Sequence, residues 1–324
     1  MIIVSHPFTS PAFNLAAEEY FLCRRRENAV MLWRNEPSII IGRNQNAYAE
    51  LDMDYVKANG IKVIRRLTGG GAVFHDLGNL NFTTIKNGGE GLADFQRALE
   101  PVIGYLRSLG LNAEFSGRND ILLDGMKISG SAQVNERGRV MLHGTLLFAA
   151  ALDTLSAALK PNPLKLKAKG IKSVRSRVTN ISAHLEKPMS VADFTAGLYD
   201  WFRTGGGFEP YDLTREDIAE IEELVREKYG AFAWNIGSAP PYELEKSALF
   251  PGGIVTANFR VKNGRVERVR LYGDFFGARP VSELEERLAG VTYEQGEVAR
   301  ALVEAGVEEY MAGVAAEGLA EIFF

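Results

Sequence analysis

Hydrophobic positions recur at two periods along this chain. Behind Ser10-Pro11, an N-cap with proline at the first helical position, Phe13, Ala16, Ala17, Tyr20 and Cys23 fall on one stripe and predict an amphipathic helix over residues 12–26. Beta-rich stretches bounded by Gly and Asn then predict strands over 30–34, 38–42, 62–66, 72–74 and 81–85. A second helix is expected over 94–109, kinked or restarted at the internal Pro101. Asp124-Gly125, set between apolar residues, reads as the two-residue turn of a hairpin across 120–129. A strand over 139–148 and a helix over 190–203, opened by the capping pattern Ser190-x-x-Asp193, follow. Strands joined by hairpins argue for an α+β fold and against a βαβ repeat.

Near Ala239-Pro240-Pro241 the composition changes, and the stretch as far as Pro251-Gly252-Gly253 reads as an extended connector. Beyond it, residues 253–275 alternate around Asn263-Gly264, a type I′ hairpin signal, and three short helical patterns follow over 281–288, 293–304 and 308–322. At 324 residues the chain has room for a large domain and a small one, and the division expected is 1–245 and 246–324. The second unit is small for independent folding and should lean on the first.

Composition narrows the class. With 46% hydrophobic and 24% charged residues the chain is globular rather than disordered or fibrous. No apolar run approaches the roughly 18 residues of a membrane span, and residues 1–7 hold neither a basic leader nor an apolar signal core. A soluble, cytoplasmic protein is expected. The lone cysteine, Cys23, excludes an internal disulfide and a multi-cysteine metal site, and the four histidines include no pair at helical metal-ligand spacing. The net charge of -4 argues against non-specific nucleic-acid binding by the whole chain.

Candidate chemistry gathers in three stretches. The first runs Arg65-Arg66-Leu67-Thr68-Gly69-Gly70-Gly71-Ala72-Val73-Phe74-His75-Asp76. Three consecutive glycines between strands let a ligand approach the backbone closely, and paired arginines suit a phosphate or carboxylate. The stretch lacks both the Gly-Lys-Ser/Thr of a Walker loop and the glycine spacing of a dinucleotide fingerprint. A flexible connector is the alternative.

The second is Gly117-Arg118-Asn119-Asp120 with Asp124-Gly125-Met126-Lys127-Ile128-Ser129-Gly130-Ser131-Ala132. Alternation puts Lys127 and Ser129 on one face of the strand, so Lys127 points at whatever the glycine stretch holds if the two are neighbours; otherwise it is a solvated surface lysine. His143, on the next strand, reads as a hydrogen-bonded structural histidine. The third stretch, 160–177, has seven Lys and Arg and no acid, so it carries +7 and leaves -11 on the remainder. Such a block asks for an anion, although a solvated basic loop or an RNA contact would also fit; stacking aromatics are absent from it.

In this order the three stretches resemble those of lipoate-protein ligases. The family's glycine motif is matched by Arg65-Arg66-x-Thr68-Gly69-Gly70-Gly71-Ala72-Val73-Phe74-His75-Asp76 and Leu77-Gly78-Asn79, and its lysine motif by Asn119-Asp120 and Lys127-Ile128-Ser129-Gly130-Ser131-Ala132-Gln133. His143-Gly144-Thr145-Leu146 matches the following strand, and Lys169-Gly170-Ile171-Lys172-Ser173-Val174-Arg175-Ser176-Arg177-Val178-Thr179-Asn180 resembles the adenylate-covering loop. Phe250-Pro251-Gly252-Gly253 and Gly273-Asp274-Phe275-Phe276 resemble the accessory C-terminal domain.

The resemblance implies a large mixed-sheet catalytic domain of the biotin/lipoate ligase type followed by a small α+β accessory domain. It further implies a ligase that uses ATP and Mg²⁺ to turn lipoate or octanoate into an acyl-adenylate. The acyl group then passes to a lysine on lipoyl domains of 2-oxoacid dehydrogenase E2 subunits or on the glycine cleavage H protein. By the same resemblance Lys127 is the central catalytic residue, Arg66 and the segment Gly69, Gly70, Gly71, Ala72, Val73 and Phe74 contact ATP, Asn119 and Asp120 face phosphate, and Asp120 reaches Mg²⁺ through it. A monomer without nucleic-acid or membrane partners is implied.

Other readings compete with this one. An ATP-independent octanoyl or lipoyl transferase would need a cysteine thioester, for which only Cys23 exists. Arg24, Arg25 and Arg26 beside it would lower its pKa, yet its place on the apolar stripe reads as a buried structural cysteine. A biotin ligase would be expected to carry a Gly-Arg-Gly-Arg-type loop, which is absent, and an RNA-binding module using the basic block sits poorly with the acidic remainder.

Overall fold

The computed structural model describes residues 1–88, 94–159, 178–236, 244–262 and 264–324. Fourteen strands are found among them: β1 (Ile2–Ser5), β2 (Ala29–Trp33), β3 (Ser38–Ile41), β4 (Lys62–Arg65), β5 (Val73–His75), β6 (Asn79–Asn87), β7 (Ala113–Ser116), β8 (Asp120–Leu123), β9 (Met126–Glu136), β10 (Arg139–Leu147), β11 (Glu209–Tyr211), β12 (Leu244–Phe250), β13 (Gly253–Lys262) and β14 (Arg265–Gly273). The largest sheet is mixed, in the order β11-β1-β2-β6-β10-β9-β8-β7, with β11, β1 and β2 mutually parallel and the rest antiparallel. A three-stranded sheet β4-β3-β5 faces it, and β12-β13-β14 form a third. The expected α+β class holds.

Strand alternation gives the large sheet two apolar faces. Ile3, Val30, Leu32, Phe82 and Leu142 pack with helices Phe95–Ser108 and Val191–Gly206. Val4, Met31, Trp33, Ile85 and Met141 share a second core with helix Pro11–Cys23, with Ile221 and Leu224 of helix Arg215–Leu224, and with Ile40 and Ile64 of the small sheet. The small sheet's other face buries Ile39 and Ile41 against Leu51 and Val56. The space between the two sheets is where the candidate chemistry converges.

Several expectations change in detail. The helix holding Pro101 runs unbroken from Phe95 to Ser108. Pro101 and Arg97, whose carbonyl loses its partner, are both exposed, so water can take the bond. The turn Asp124-Gly125 forms as expected, with φ of 49° and 78°. Leu244–Phe250, read as part of a connector, instead pairs along its whole length with β13. The earlier part of that connector, including Ala239-Pro240-Pro241, lies outside the described residues, as does Asn263. The last helical pattern divides into Val307–Tyr310 and Ala316–Glu321, because Gly313 adopts a left-handed φ of 75° between them. Helix Arg215–Leu224, opened by a Thr214–Asp217 capping box, was not anticipated.

Candidate active site

A cavity of about 310 Å³ opens between the large and small sheets. Its wall includes Arg66, Gly70, Gly71, Ala72 and Val73 from the glycine stretch, Asn119, Asp120 and Lys127 from the hairpin, and His143 from β10. The first two sequence stretches therefore meet, as the neighbour hypothesis requires. The third, 160–177, lies outside the described residues, but its exit is fixed: Val178 bridges Lys127 in parallel, and Thr179 donates its N–H to the Lys127 carbonyl at 3.0 Å.

The two arginines are not spare cations. Arg66 is 5% exposed and donates from Nε to Thr68 Oγ1 (2.9 Å), from Nη1 to the Ile40 carbonyl (3.0 Å) and from Nη2 to the carbonyls of Gly69 (2.6 Å) and Gly71 (2.9 Å). Arg65 donates to the carbonyls of Gly42, Arg43, Gln45, Trp234 and Asn235. Burial lowers both from the usual guanidinium range to about 10. Their hydrogen bonds shape the backbone, and Arg66 also lines the cavity.

The glycines divide by role. Gly70 has a φ of 92°, and a Cβ there would fall 2.9 Å from an Arg66 nitrogen and 3.1 Å from the Phe276 ring. A Cβ on Gly69 would fall 2.4 Å from the Phe275 carbonyl oxygen, and one on Gly42 would fall 1.9 Å from that of Gly70. Gly71 meets nothing within 4 Å. Packing thus demands Gly69 and Gly70, while Gly71 leaves backbone open to a ligand. Val73 lines the cavity, whereas Phe74 turns to the opposite face of the small sheet, into the cluster with Ile39.

Lys127 reaches the cavity from β9, its Nζ 2.7 Å from Asp120 Oδ1. A β-bulge lies beside it: Leu122 pairs with Lys127 while the preceding Ile121 pairs with Ser129. The extra residue puts Lys127 and Ser129 on opposite faces, correcting the expectation from simple alternation. Gly130, not Ser129, shares the cavity wall, and a Cβ there would fall 2.9 Å from Lys127 Nζ. Asn119 donates its side-chain N–H to the Ser131 carbonyl.

Two histidines line the wall. His143 has both ring nitrogens engaged, Nε2 with Thr68 Oγ1 at 2.8 Å and Nδ1 with Glu18 at 2.9 Å, as the structural reading expects. His75 places Nδ1 3.0 Å from Asn35 Nδ2, and burial drives its pKa down to about 3. Leu15, Trp33, Ile40 and Ala132 supply an apolar surface, and Arg118, Asp274 and Phe276 close the rim. Sequence reasoning left the apolar residues unidentified and gave Asp274 and Phe276 no place at the site. Nothing local in the sequence connects residue 118 with residue 276.

Cys23 departs from expectation. It is exposed at the last turn of helix Pro11–Cys23 and lines neither the cavity nor the core. Arg24 pairs with Glu220 and Glu223, and Arg25 with Glu27 and Asp217. The thiol is raised, first by partial desolvation and then by Glu19 and Glu136. That is the reverse of activation.

Comparison with known proteins places this geometry in a family. Residues 10–203 match the lipoyl protein ligase A/B catalytic domain, and residues 239–323 match the bacterial lipoate protein ligase C-terminus. The lipoate-protein ligase LplJ of Bacillus subtilis (strain 168) is 41% identical over 330 aligned residues, covering 100% of both chains. A crystal structure of lipoate-protein ligase A bound with ATP superposes with a TM-score of 0.61 at 30% identity, covering 73% of this chain and 97% of the other. A bi-partite lipoate protein ligase from Thermoplasma acidophilum, described with its E2 lipoyl domain, gives 0.63 at 31% identity over 75% and 98%. Sequence over the full length and fold over about three quarters of the chain agree: the chain belongs to the lipoate-protein ligase family and is a ligase.

Proposed function

We propose that this chain uses ATP to convert lipoate, or the related octanoate, into an acyl-adenylate and then transfers the acyl group to a lysine of a lipoyl domain. The observation that carries this reading is the Lys127 ammonium on the wall of a cavity shared with the open backbone at Gly71, in a chain of this family. The ATP and the lipoyl domain named with two relatives support it.

In the first step a carboxylate oxygen attacks the α-phosphorus, the bond from that phosphorus to the bridging oxygen breaks, and pyrophosphate departs with the electron pair. Two anions must meet, so Lys127 offsets their repulsion as charge builds up on the transferring group. Asp120 holds the ammonium in place beforehand. Arg66 contributes through the shape it gives the glycine stretch, whose backbone from Gly69 to Phe74 serves ATP, and Asn119 lies beside the phosphates. The carbon chain runs along Leu15, Trp33 and Ile40. In the second step a neutral lysine amine attacks the acyl carbon, the carbon–oxygen bond to AMP breaks, and the amine releases a proton.

Magnesium is the expected companion of ATP. Among the described residues no cluster of three or more His, Cys, Asp or Glu could hold a metal alone. Asp120 and Asp274 both line the cavity and both act on the charge of Arg118, so these carboxylates would complete a shell made largely of phosphate oxygens. Bound there, the ion supplies charge neutralisation at the phosphates. Because β12 begins at Leu244, the division falls just before the expected 245/246: the chain ahead of β12 acts as the catalytic unit and 244–324 as an accessory, in a monomer whose acceptors are E2 lipoyl domains and the H protein.

The test is pyrophosphate release with MgATP across a panel of lipoate and straight-chain acids, with and without a lipoyl domain. Acid-dependent release without acceptor, and acylated lipoyl domain with it, is expected. Acylation from an acyl carrier thioester with no use of ATP would replace this reading with the transferase.

A further inference from the structure

Glu18, on helix Pro11–Cys23, is 1% exposed and does not line the cavity. Its carboxylate accepts the Thr83 hydroxyl at 2.6 Å and lies 2.9 and 3.0 Å from His143 Nδ1. Across the imidazole, Nε2 is 2.8 Å from Thr68 Oγ1, which accepts Arg66 Nε–H at 2.9 Å. On the other branch the Thr83 oxygen accepts the Trp33 indole N–H at 2.9 Å.

One proton assignment satisfies every member. Arg66 donates to Thr68, Thr68 donates to Nε2, Nδ1–H donates to Glu18, and Trp33 donates through Thr83 to the same carboxylate. The other tautomer, with the ring proton on Nε2, would turn a bare Nδ1 lone pair towards the Glu18 carboxylate. Both branches begin at cavity walls and end on one buried acid, and Arg66 at the far end supplies the opposite charge.

We propose that Glu18 is a positioning residue for the ligase reaction: through His143 and Thr68 it fixes Arg66 and hence the glycine stretch, and through Thr83 it fixes the Trp33 ring. A buried carboxylate is a costly way to fill space, so an acid here is understood by the donors it orders. The inference rests on the proposed adenylation only for what the positioned loop binds.

Four variants test it. Thr68→Val keeps the shape but removes both hydrogen bonds, and Thr68→Ser restores the hydroxyl. Glu18→Gln puts an amide donor opposite His143 Nδ1–H. Glu19→Gln, next on the same helix and bonded to Lys228 and Tyr229, is the structural control. Thr68→Val and Glu18→Gln should raise the KM for ATP at least tenfold while changing kcat less than threefold, with faster hydrogen exchange at 69–72. Thr68→Ser should recover most of the loss. The ¹⁵N resonances of His143 should show an Nδ1–H tautomer in the parent protein and a changed one in Glu18→Gln. Unchanged KM and exchange in folded Thr68→Val, or an equal KM rise in Glu19→Gln, overturns the role. If no protein releases pyrophosphate yet exchange and tautomer shift as stated, the adenylation reading fails and the positioning role stands.

Discussion

The guanidinium of Arg118 lies 4.4 Å from the centroid of the Phe276 ring and donates to the Gly252 carbonyl at 3.1 Å. A residue ahead of β8 is thus held by two segments of the C-terminal unit. Gly273 adds a backbone hydrogen bond to the Asn44 carbonyl at 2.8 Å, and Phe276 lies against Gly70. Phe276→Ala removes a buried ring as well as the cation contact, so it should weaken this docking by about 3 kcal/mol and leave both cores folded. Faster hydrogen exchange confined to 68–72 and 250–253 is the expected signature; an unchanged pattern would make the contact incidental.

Lys127→Ala or Lys127→Leu should abolish acyl-adenylate formation, because each removes the charge facing the reacting centre. A loss of at least about 100-fold is expected. Asp120 would lose its partner, but at 31% side-chain exposure water replaces it, so the melting temperature should barely change. Near-normal pyrophosphate release in either variant would remove Lys127 from the reaction.

Neighbouring glycines should fail in different ways. Gly71→Val meets open space, so the protein should fold while its side chain obstructs ligand. Gly70→Val forces a valine to a φ of 92° against Arg66 and Phe276, and should cost about 1–3 kcal/mol or more in stability. Calorimetric binding and thermal unfolding, measured on both, separate the effects. Full ATP and lipoate affinity in Gly71→Val would reduce the stretch to a connector.

Cys23→Ala should ligate as the parent does, since an acyl-adenylate already supplies an activated carbonyl. Mass spectrometry of the parent incubated with acyl donor gives the direct check. A thioester trapped on Cys23, with transfer lost in the folded alanine variant, would move the chain to cysteine chemistry.

Asp217 makes a pH prediction. Burial would raise its carboxyl, but hydrogen bonds from Tyr20 (2.5 Å), Tyr211 (2.7 Å) and the Thr214 backbone (2.9 Å) overcome this and hold it at about 2, below the usual 3.8. A depressed carboxylate contributes stability above its unfolded pKa and loses it as pH falls through the folded one. About 2 kcal/mol should therefore be present at pH 5 and fade between roughly pH 4 and 2. Denaturant midpoints of the parent and Asp217→Asn should converge over that window; parallel curves would refute the shift.

What was readable in advance was what depends on near neighbours in the chain. The Asp124-Gly125 turn needs only its own left-handed residues, and the glycine stretch announces itself by composition. The bulge at Ile128 was hidden because alternation presumes uniform pairing. The partners of Arg65 and Arg66 were hidden because sequence gives their charge but not the backbone carbonyls that surround them once buried. Cys23 fits the helical stripe, yet the helix ends there and its face gives way to solvent. Phe276 was out of reach for the plainest reason, its contact being with residues more than a hundred positions away.

Gly42 has a consequence for how this sequence can change over time. Its amide is held by Gln45, its carbonyl by Arg65, and its α-carbon stands against the Gly70 carbonyl. Any larger residue at 42 must displace the loop before it can be tolerated, and the displaced loop has lost the shape Arg66 gives it. No single substitution crosses that gap. A lineage could alter position 42 only after moving the Gly70 carbonyl, and a mutagenesis library that varies the two regions separately will recover only glycine at 42 and at 70.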